Sequence, residues 1–413
     1  MLRFGMFPIL VCILCGRWIG IKTTVIDASA TASGKFPEQR VAITRTFSAL
    51  ITQIPELKLI SISLLNFRSY EQISFEFDAP GNLIIGPNGS GKTNLLEAIA
   101  YTSVGKSIRF HQDKELVRNG SEQFAVNGLY GTDTNLPLQV QLAYERSRKI
   151  LKINTEVKRQ LSSLFKHVKV IYCAPDDIDL VNGNPRQRRQ YFDLAIAQVF
   201  PCYITLLREY LHIVEQRNRL LKEEGSLLAK KSWDLRFIKS LLELYPYRKK
   251  YLEILNAELA GTFCEISENT KNLSITYQPV LKQAMDLDES VLMSRVTELE
   301  NREKTWQRSL IGAHLDDYVF EMDGYPMRSY ASQGQKRIAV IISKMIQAQL
   351  IETHTGIKPI LLFDDVFAEL DYTHSEKIHE LCQDSYQIFI ASPKEDIRQI
   401  FGKMSVIQLG SEQ

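Results

Sequence analysis

The chain has little of what marks secreted, membrane-spanning or strongly basic proteins. Six cysteines in 413 residues make no disulfide framework, and four of them, Cys173, Cys202, Cys264 and Cys382, stand alone. A reducing, cytoplasmic setting is the simpler expectation. The formal net charge is only +2, which excludes a globally basic nucleic-acid binder and leaves a local patch to do any such work. The apolar stretch Phe4–Cys15 is of signal-peptide length and too short to span a bilayer comfortably, so no membrane is expected. Small residues in ASATASG (28–34) resemble a cleavage site, but everything after Leu57 reads as a nucleotide-driven machine. Residues 1–56 are therefore expected to be a leader, accessory or translated in error, and poorly ordered. Cys12 and Cys15 form a CxxC with no second pair nearby, so neither zinc nor redox use is expected. Internal repeats, low-complexity tracts and sustained heptads are also missing, which excludes a repeat array and a long coiled coil.

What is present begins at Leu57. LKLISISLLNFRSYEQISFEF alternates apolar and polar residues in two runs around NFRSYE, the pattern of paired antiparallel strands. QFAVNGLYGTDTNLPLQVQLAYERSRKILKINTEVK predicts a β-meander, and HVKVIYCAPDDIDLVNGNP a buried strand ending in a polar loop. From Arg186 to about Asn269 apolar residues recur at i, i+3, i+4, which predicts a helical lobe with a short antiparallel hairpin. Strand-and-helix alternation returns after about residue 305. The expected organisation is a head in two parts, 57–185 and 305–413, with a helical lobe, 186–304, inserted between them.

GPNGSGKTN, which is Gly86-Pro87-Asn88-Gly89-Ser90-Gly91-Lys92-Thr93-Asn94, follows the apolar NLII and precedes LLEAIAYTSVG. Strand, Gly-rich turn and helix in that order are the context of a phosphate-binding loop of the form G-x-x-x-x-G-K-[ST]. The glycines let successive N–H groups turn toward phosphate oxygens, and the helix near Lys92 adds its positive end. Lys92 is placed to reach the β- and γ-phosphates of ATP, and the Thr93 hydroxyl to ligate Mg²⁺. KPILLFDDVFAELD supplies the carboxylates: Ile360–Phe363 is apolar throughout, as a strand buried on both faces should be. Taken alone, a pair of aspartates after a strand is more often a helix cap or loop. Beside the Gly-rich loop, Asp364 reads as the Mg²⁺-side ligand and Asp365 as the group that orients or deprotonates a water.

YASQGQKRIAVIISKM offers a second helix N-terminus, where Ser332, Gly334 and Gln335 make either a plain cap or another anion site. The order S-x-G-Q, then about 25 residues, then apolar-DD resembles the signature and Walker B motifs of ABC-type ATPases. That resemblance implies an ABC-type head, a P-loop fold whose mixed sheet has an antiparallel portion. It also implies that ATP is held between the loop of one copy and the Ser332–Gln335 segment of another, with Asp371 of AELD at the seam of a homodimer. Asp365 stands where transporter members have glutamate, and Ser392 where they have a histidine, so slow hydrolysis is expected.

Several further segments resemble one family. NFRSYE, IIGPNGSGKTNLLEAIAYTSVGKSIR, APDDIDLVNGNPRQRRQYFD, EQRNRLL, IGAHLDDYVFEMDG and SQGQKR are similar, in order from about residue 57 to 413, to the RecF family of DNA replication and repair ATPases. The resemblance implies slow, DNA-stimulated ATP hydrolysis and ATP-dependent dimerisation on double-stranded DNA and single/double-strand junctions. It also implies help in loading recombinase at gaps, with mediator proteins of the RecO and RecR type as partners. Arg68 matches a position near adenine or phosphates, although a solvated hairpin arginine fits as well. Gly312, His314, Asp316 and Asp317 match a family motif, and a purely structural histidine fits the same position. No Q-loop glutamine is assigned.

DNA contact is proposed on clustering: Arg186, Arg188 and Arg189; Arg217, Arg219 and Lys222; Arg248, Lys249 and Lys250. Solvated helix faces are the competing reading, and the resemblance tips it toward phosphate-backbone binding. An ABC importer motor would have a histidine after IFIAS and no large helical insert. A chromosome-organising ATPase of the SMC type needs hundreds of heptad residues. Another SMC-like ATPase of chromosome maintenance is the alternative that remains.

Overall fold

The computed structural model of the chain describes residues 57–109, 112–131, 136–223, 227–267, 270–281, 288–382 and 385–410. The leader expected over 1–56, with Cys12 and Cys15, lies outside them. β1 (Lys58–Phe67) and β2 (Tyr70–Glu76) form the expected hairpin, and β3 (Gly81–Ile85) runs through the Gly-rich loop into α1 (Lys92–Val104). The meander is β4 (Gln123–Gly131), β5 (Leu138–Glu145), β6 (Arg148–Ile153) and β7 (Glu156–Lys158). A 3-10 turn at Leu161–Lys166 leads to β8 (Val170–Cys173). The helical stretch holds α2 (Asp179–Asn182), α3 (Pro185–Val199), α4 (Tyr203–Lys222) and α5 (Leu227–Ser267). After them come β9 (Leu273–Gln278) and α6 (Glu289–Trp306). Then follow β10 (Asp317–Met322), β11 (Tyr325–Pro326), α7 (Met327–Tyr330) and α8 (Gln333–Thr355). β12 (Ile360–Asp364), α9 (Tyr372–Cys382), β13 (Ile388–Ser392) and β14 (Ser405–Gln408) complete the order.

The strands make three sheets: an antiparallel one in the order β2-β1-β4-β5-β6-β7, a second in the order β14-β3-β13-β12-β8, and a small one, β11-β10-β9. Every pairing in the second sheet is parallel. Its strands are apolar on both faces because both faces are covered. Ile84, Ile360, Leu362 and Phe389 point into a core shared with α1 and the antiparallel sheet. Their neighbours Leu83, Leu361, Phe363 and Ile390 point the other way, into a core shared with α3, α5 and α8. Alternation along each strand thus joins two cores through one sheet. α1 lies between sheets, and Leu95, Leu96, Ala98, Ile99 and Tyr101 are wholly buried.

The expected helical hairpin is present. Contacts from Cys202 to Tyr247, Tyr210 to Phe237 and Arg217 to Asp234 run in opposite directions along α4 and α5, so the pair is antiparallel. The stretch 186–304 is not all helix, however. β9 lies inside it and pairs antiparallel with β10, and side chains of α3–α6 share one core with α8 and the parallel sheet. LSITYQ buries alternate residues, Leu273 and Ile275, on that core. Among the described residues no helix is long and apolar enough to cross a membrane.

Candidate active site

The Gly-rich loop leaves β3 at the carboxyl edge of the parallel sheet, where open α/β sheets bind ligands. Glycine is required at two points for identifiable reasons. A Cβ on Gly86 would sit 2.3 Å from the Leu409 carbonyl oxygen, and Gly91 combines φ +100° with a Tyr70 hydroxyl 2.7 Å from where its Cβ would be. Gly91 caps α1 without a side chain, so the first N–H groups of the helix are left for an anion. Lys92, nearly buried, donates to the carbonyls of Gly86 (2.9 Å) and Pro87 (3.0 Å). The Ser90 hydroxyl is buried with no partner. Pro87, Asn88 and Gly89 are exposed at the tip, and Asn94 donates to the Ser69 hydroxyl of the β1–β2 hairpin.

The two motifs meet across 271 residues. The Thr93 hydroxyl donates to Asp364 Oδ1 at 3.0 Å, and the Tyr172 hydroxyl donates to Asp364 Oδ2 at 2.7 Å. β3 and β12 are not adjacent; β13 runs between them. Burial raises the Asp364 pKa, opposed by the Tyr172 and Thr93 hydrogen bonds. Asp365 takes the left-handed conformation, φ 54°, and donates its N–H to Ala391 O. Its Oδ1 is buried without a partner, and burial together with Asp364 raises its pKa.

These observations fit a bound nucleotide and divalent cation. An uncapped helix start, a buried lysine folded onto loop carbonyls, a hydroxyl–carboxylate pair and an unpaired carboxylate oxygen lie in one place. A cavity of about 560 Å³ opens beside Thr93, Asp364 and Asp365, lined also by Tyr172, Lys344 and Gln347. Ser392, at the end of β13, uses its hydroxyl locally, donating to Lys394 O.

Arg68 is not a solvated hairpin arginine. Its guanidinium grips the fully buried Glu97 of α1 at 2.9 and 3.2 Å and donates to Glu115 O, so it braces the hairpin behind the loop. Ser332 is the N-cap of α8 in a reciprocal box with Gln335, its hydroxyl accepting from Gln335 N. Ser332 and Gly334 are exposed, and no described contact joins them to residues 86–94 of the same chain. Asp371 accepts from the His374 N–H and Nδ1, which lowers its pKa, and it too is exposed.

The arginine clusters need correction. Arg217 and Arg248 are 0% and 1% exposed, and Arg188 is buried. Arg217 is held by Asp234 and Glu303, Arg248 by Asp193, and Arg188 by both oxygens of Asp317. They are core ion pairs and cannot touch DNA. The GAHLDD motif proves to be their counterpart: Asp316 accepts from Tyr277 and from Val280 N, Asp317 holds Arg188, and His314 Nδ1 lies 2.6 Å from the Tyr210 hydroxyl. Gly312, φ +120°, lets Tyr210 and Phe237 pack against the turn. Sequence reasoning missed Tyr172 and Lys344. Lys344 donates to Tyr172 O at 2.7 Å and pairs with Asp177 at 2.5 Å, linking the helix that starts at Ser332 to the strand beside Asp364. No spacing signal marks either residue, because their partners are distant in sequence.

With that geometry established, the chain compares as follows. Residues 58–410 match the family model described as the RecF/RecN/SMC N terminal domain. The DNA replication and repair protein RecF of Moorella thermoacetica is 32% identical over 346 residues, covering 82% of this chain and 90% of that protein. RecF of Cyanothece sp. is 33% identical over 343 residues, 81% of this chain and 91% of the relative. A solved structure of the recombination mediator protein RecF with ATP in the RecFOR pathway superposes with a TM-score of 0.76 at 30% identity, covering 83% of this chain and 93% of that one.

Proposed function

The chain belongs to the RecF family, within the RecF/RecN/SMC group, and on that premise we propose that it is a DNA replication and repair ATPase that acts as an ATP-dependent dimer at single-strand gaps. The observation that carries this reading is the hydrogen bond from Thr93 to Asp364, which puts the phosphate loop and the strand-end carboxylates in one site. Lys92 would exchange the carbonyls of Gly86 and Pro87 for phosphate oxygens, at little cost because it is already desolvated. Thr93 and Asp364 would hold Mg²⁺, which supplies charge neutralisation on the phosphates. Asp365 Oδ1, unpaired and with a raised pKa, is suited to accept a proton from an attacking water. With aspartate rather than glutamate there, and Ser392 committed to Lys394, turnover should be slow and DNA-stimulated.

The exposed Ser332–Gln335 segment would complete the site in trans, against the loop of a second copy, with Asp371 at the seam. Duplex DNA and single/double-strand junctions are the proposed nucleic-acid partners, mediator proteins of the RecO and RecR type the proposed protein partners, and the cytoplasm the proposed location. The test is the solution mass of the full chain with and without ATP and Mg²⁺, beside Lys92→Ala. A shift from monomer to dimer that the variant lacks is expected. Intact ATP binding with no shift at saturation, with and without DNA, would overturn pairing in trans.

A further inference from the structure

Three of the nine clustered cations, Arg188, Arg217 and Arg248, are buried in internal ion pairs, and the charge distribution supplies a second candidate surface elsewhere. Between Arg146 and Lys166 there are seven lysines and arginines against one acid, Glu156. That is a local +6 in a chain of net +2, so the rest of the molecule carries net −4. The segment covers β6, β7 and the 3-10 turn after them, and β7 is the free edge of the six-stranded sheet. Arg148, Lys152, Arg159 and Lys166 are exposed. The other three are already paired, Arg146 with Glu145, Lys149 with Asp113 and Lys158 with Glu156.

The strip continues onto other elements. Arg208 of α4 is exposed and donates to the Ser162 hydroxyl of the turn. Lys106 follows Gly105, whose carbonyl takes the Lys149 ammonium at 2.5 Å. Lys158 and Lys166 lie close enough to His167 to help depress its pKa, so the cations crowd one region rather than spreading around the fold. Charged residues on an edge strand also keep sheets from pairing edge to edge. That role does not call for cations on a turn beyond the strand or on a helix of another part of the chain.

We propose that this edge, formed by Arg148, Lys152, Arg159, Lys166, Lys106 and Arg208, docks the phosphate backbone of duplex DNA. The proposal rests on the DNA-binding reading above and locates it. Long cationic side chains without exposed aromatic neighbours suit backbone contact rather than base stacking; the exposed large apolar residues of the strip are Ile150 and Val157. Duplex is therefore favoured over single strands.

The experiment measures duplex affinity against salt for the full chain with ATP and Mg²⁺. The wild type is compared with Arg148→Gln/Lys152→Gln/Arg159→Gln/Lys166→Gln, and with a helical-lobe set, Arg186→Gln/Arg219→Gln/Lys222→Gln. ATP affinity and ATP-driven mass report on folding. Each phosphate contact contributes about 0.9 to the slope of log K against log salt. The strip variant should therefore lose about 3 to 4 from the slope and at least tenfold in affinity at moderate salt, with the helical-lobe set near wild type. Wild-type slope in a strip variant that binds ATP normally would overturn the proposal, as would loss confined to the helical-lobe set. Failure of the wild type itself to bind duplex at low salt would instead overturn the DNA-binding reading.

Discussion

Arg217→Ala separates a core arginine from a DNA contact more cleanly than any other substitution. The guanidinium has no solvent exposure; it donates to Asp234 at 2.6 Å, to both oxygens of Glu303 at 3.0 and 2.5 Å and to Ser309 at 2.7 Å, and its Cζ lies 5.0 Å from the centre of the Phe237 ring. Glu303 is likewise fully buried, and among the described residues its carboxylate accepts, apart from Arg217, the Leu310 N–H. Truncation would leave a buried carboxylate without its cation, which typically costs about 3–5 kcal/mol. For a chain of this size that is a fall of roughly 4–6 °C in melting temperature. Calorimetry and urea unfolding measure it directly. Arg219→Ala, exposed and paired with Glu223, should leave stability essentially unchanged. Arg217→Met/Glu303→Leu should recover part of the loss, since the cost lies in the stranded charge and Asp234 retains Lys230 at 3.4 Å. Unchanged stability in Arg217→Ala, accompanied by a reduced salt slope for DNA, would refute the assignment and restore the arginine to the surface.

Tyr172→Phe removes the hydroxyl that orients Asp364 and supports its ionised form. A hydrogen bond to a charged group contributes about 1.5–3 kcal/mol, so the Mg²⁺ concentration for half-maximal hydrolysis should rise about tenfold or more, with metal-free ATP binding unaltered; an unchanged Mg²⁺ requirement would count against the role. His314 is buried beside Tyr210 with a pKa lowered to about 4, chiefly by burial and then by nearby arginines. Below its ordinary pKa the unfolded chain takes up a proton that the folded chain refuses, so stability should fall as pH drops from about 6.5 to 4, by at most about 3 kcal/mol. Urea unfolding at pH 7 and 4.5 tests this, and His314→Gln should flatten that window.

How much of this was legible beforehand depends on where each residue finds its partner. The Gly-rich loop was readable because its constraints are local: Gly86 and Gly91 answer to backbone crowding and positive φ, Lys92 and Thr93 to a phosphate a few ångströms away. Asp364 lies far from Thr93 in sequence, yet motif order alone paired them. Arg188, Arg217 and Arg248 were misread because helical spacing says which residues share a face and not whether that face meets carboxylates. Asp317, Glu303 and Asp193 stand 129, 86 and 55 residues away from them. β9 was missed for a related reason, since its partner β10 lies beyond a whole helix. The basic strip escaped notice because Arg148 and Lys152 alternate with Leu151 and Ile153 as in any half-buried strand. The Arg148 and Lys152 side chains face solvent, whereas Arg188, Arg217 and Arg248 sit on packed helix faces and are spent on internal pairs. For this chain the exposure of a cation is therefore a better guide to its role than its spacing in the sequence.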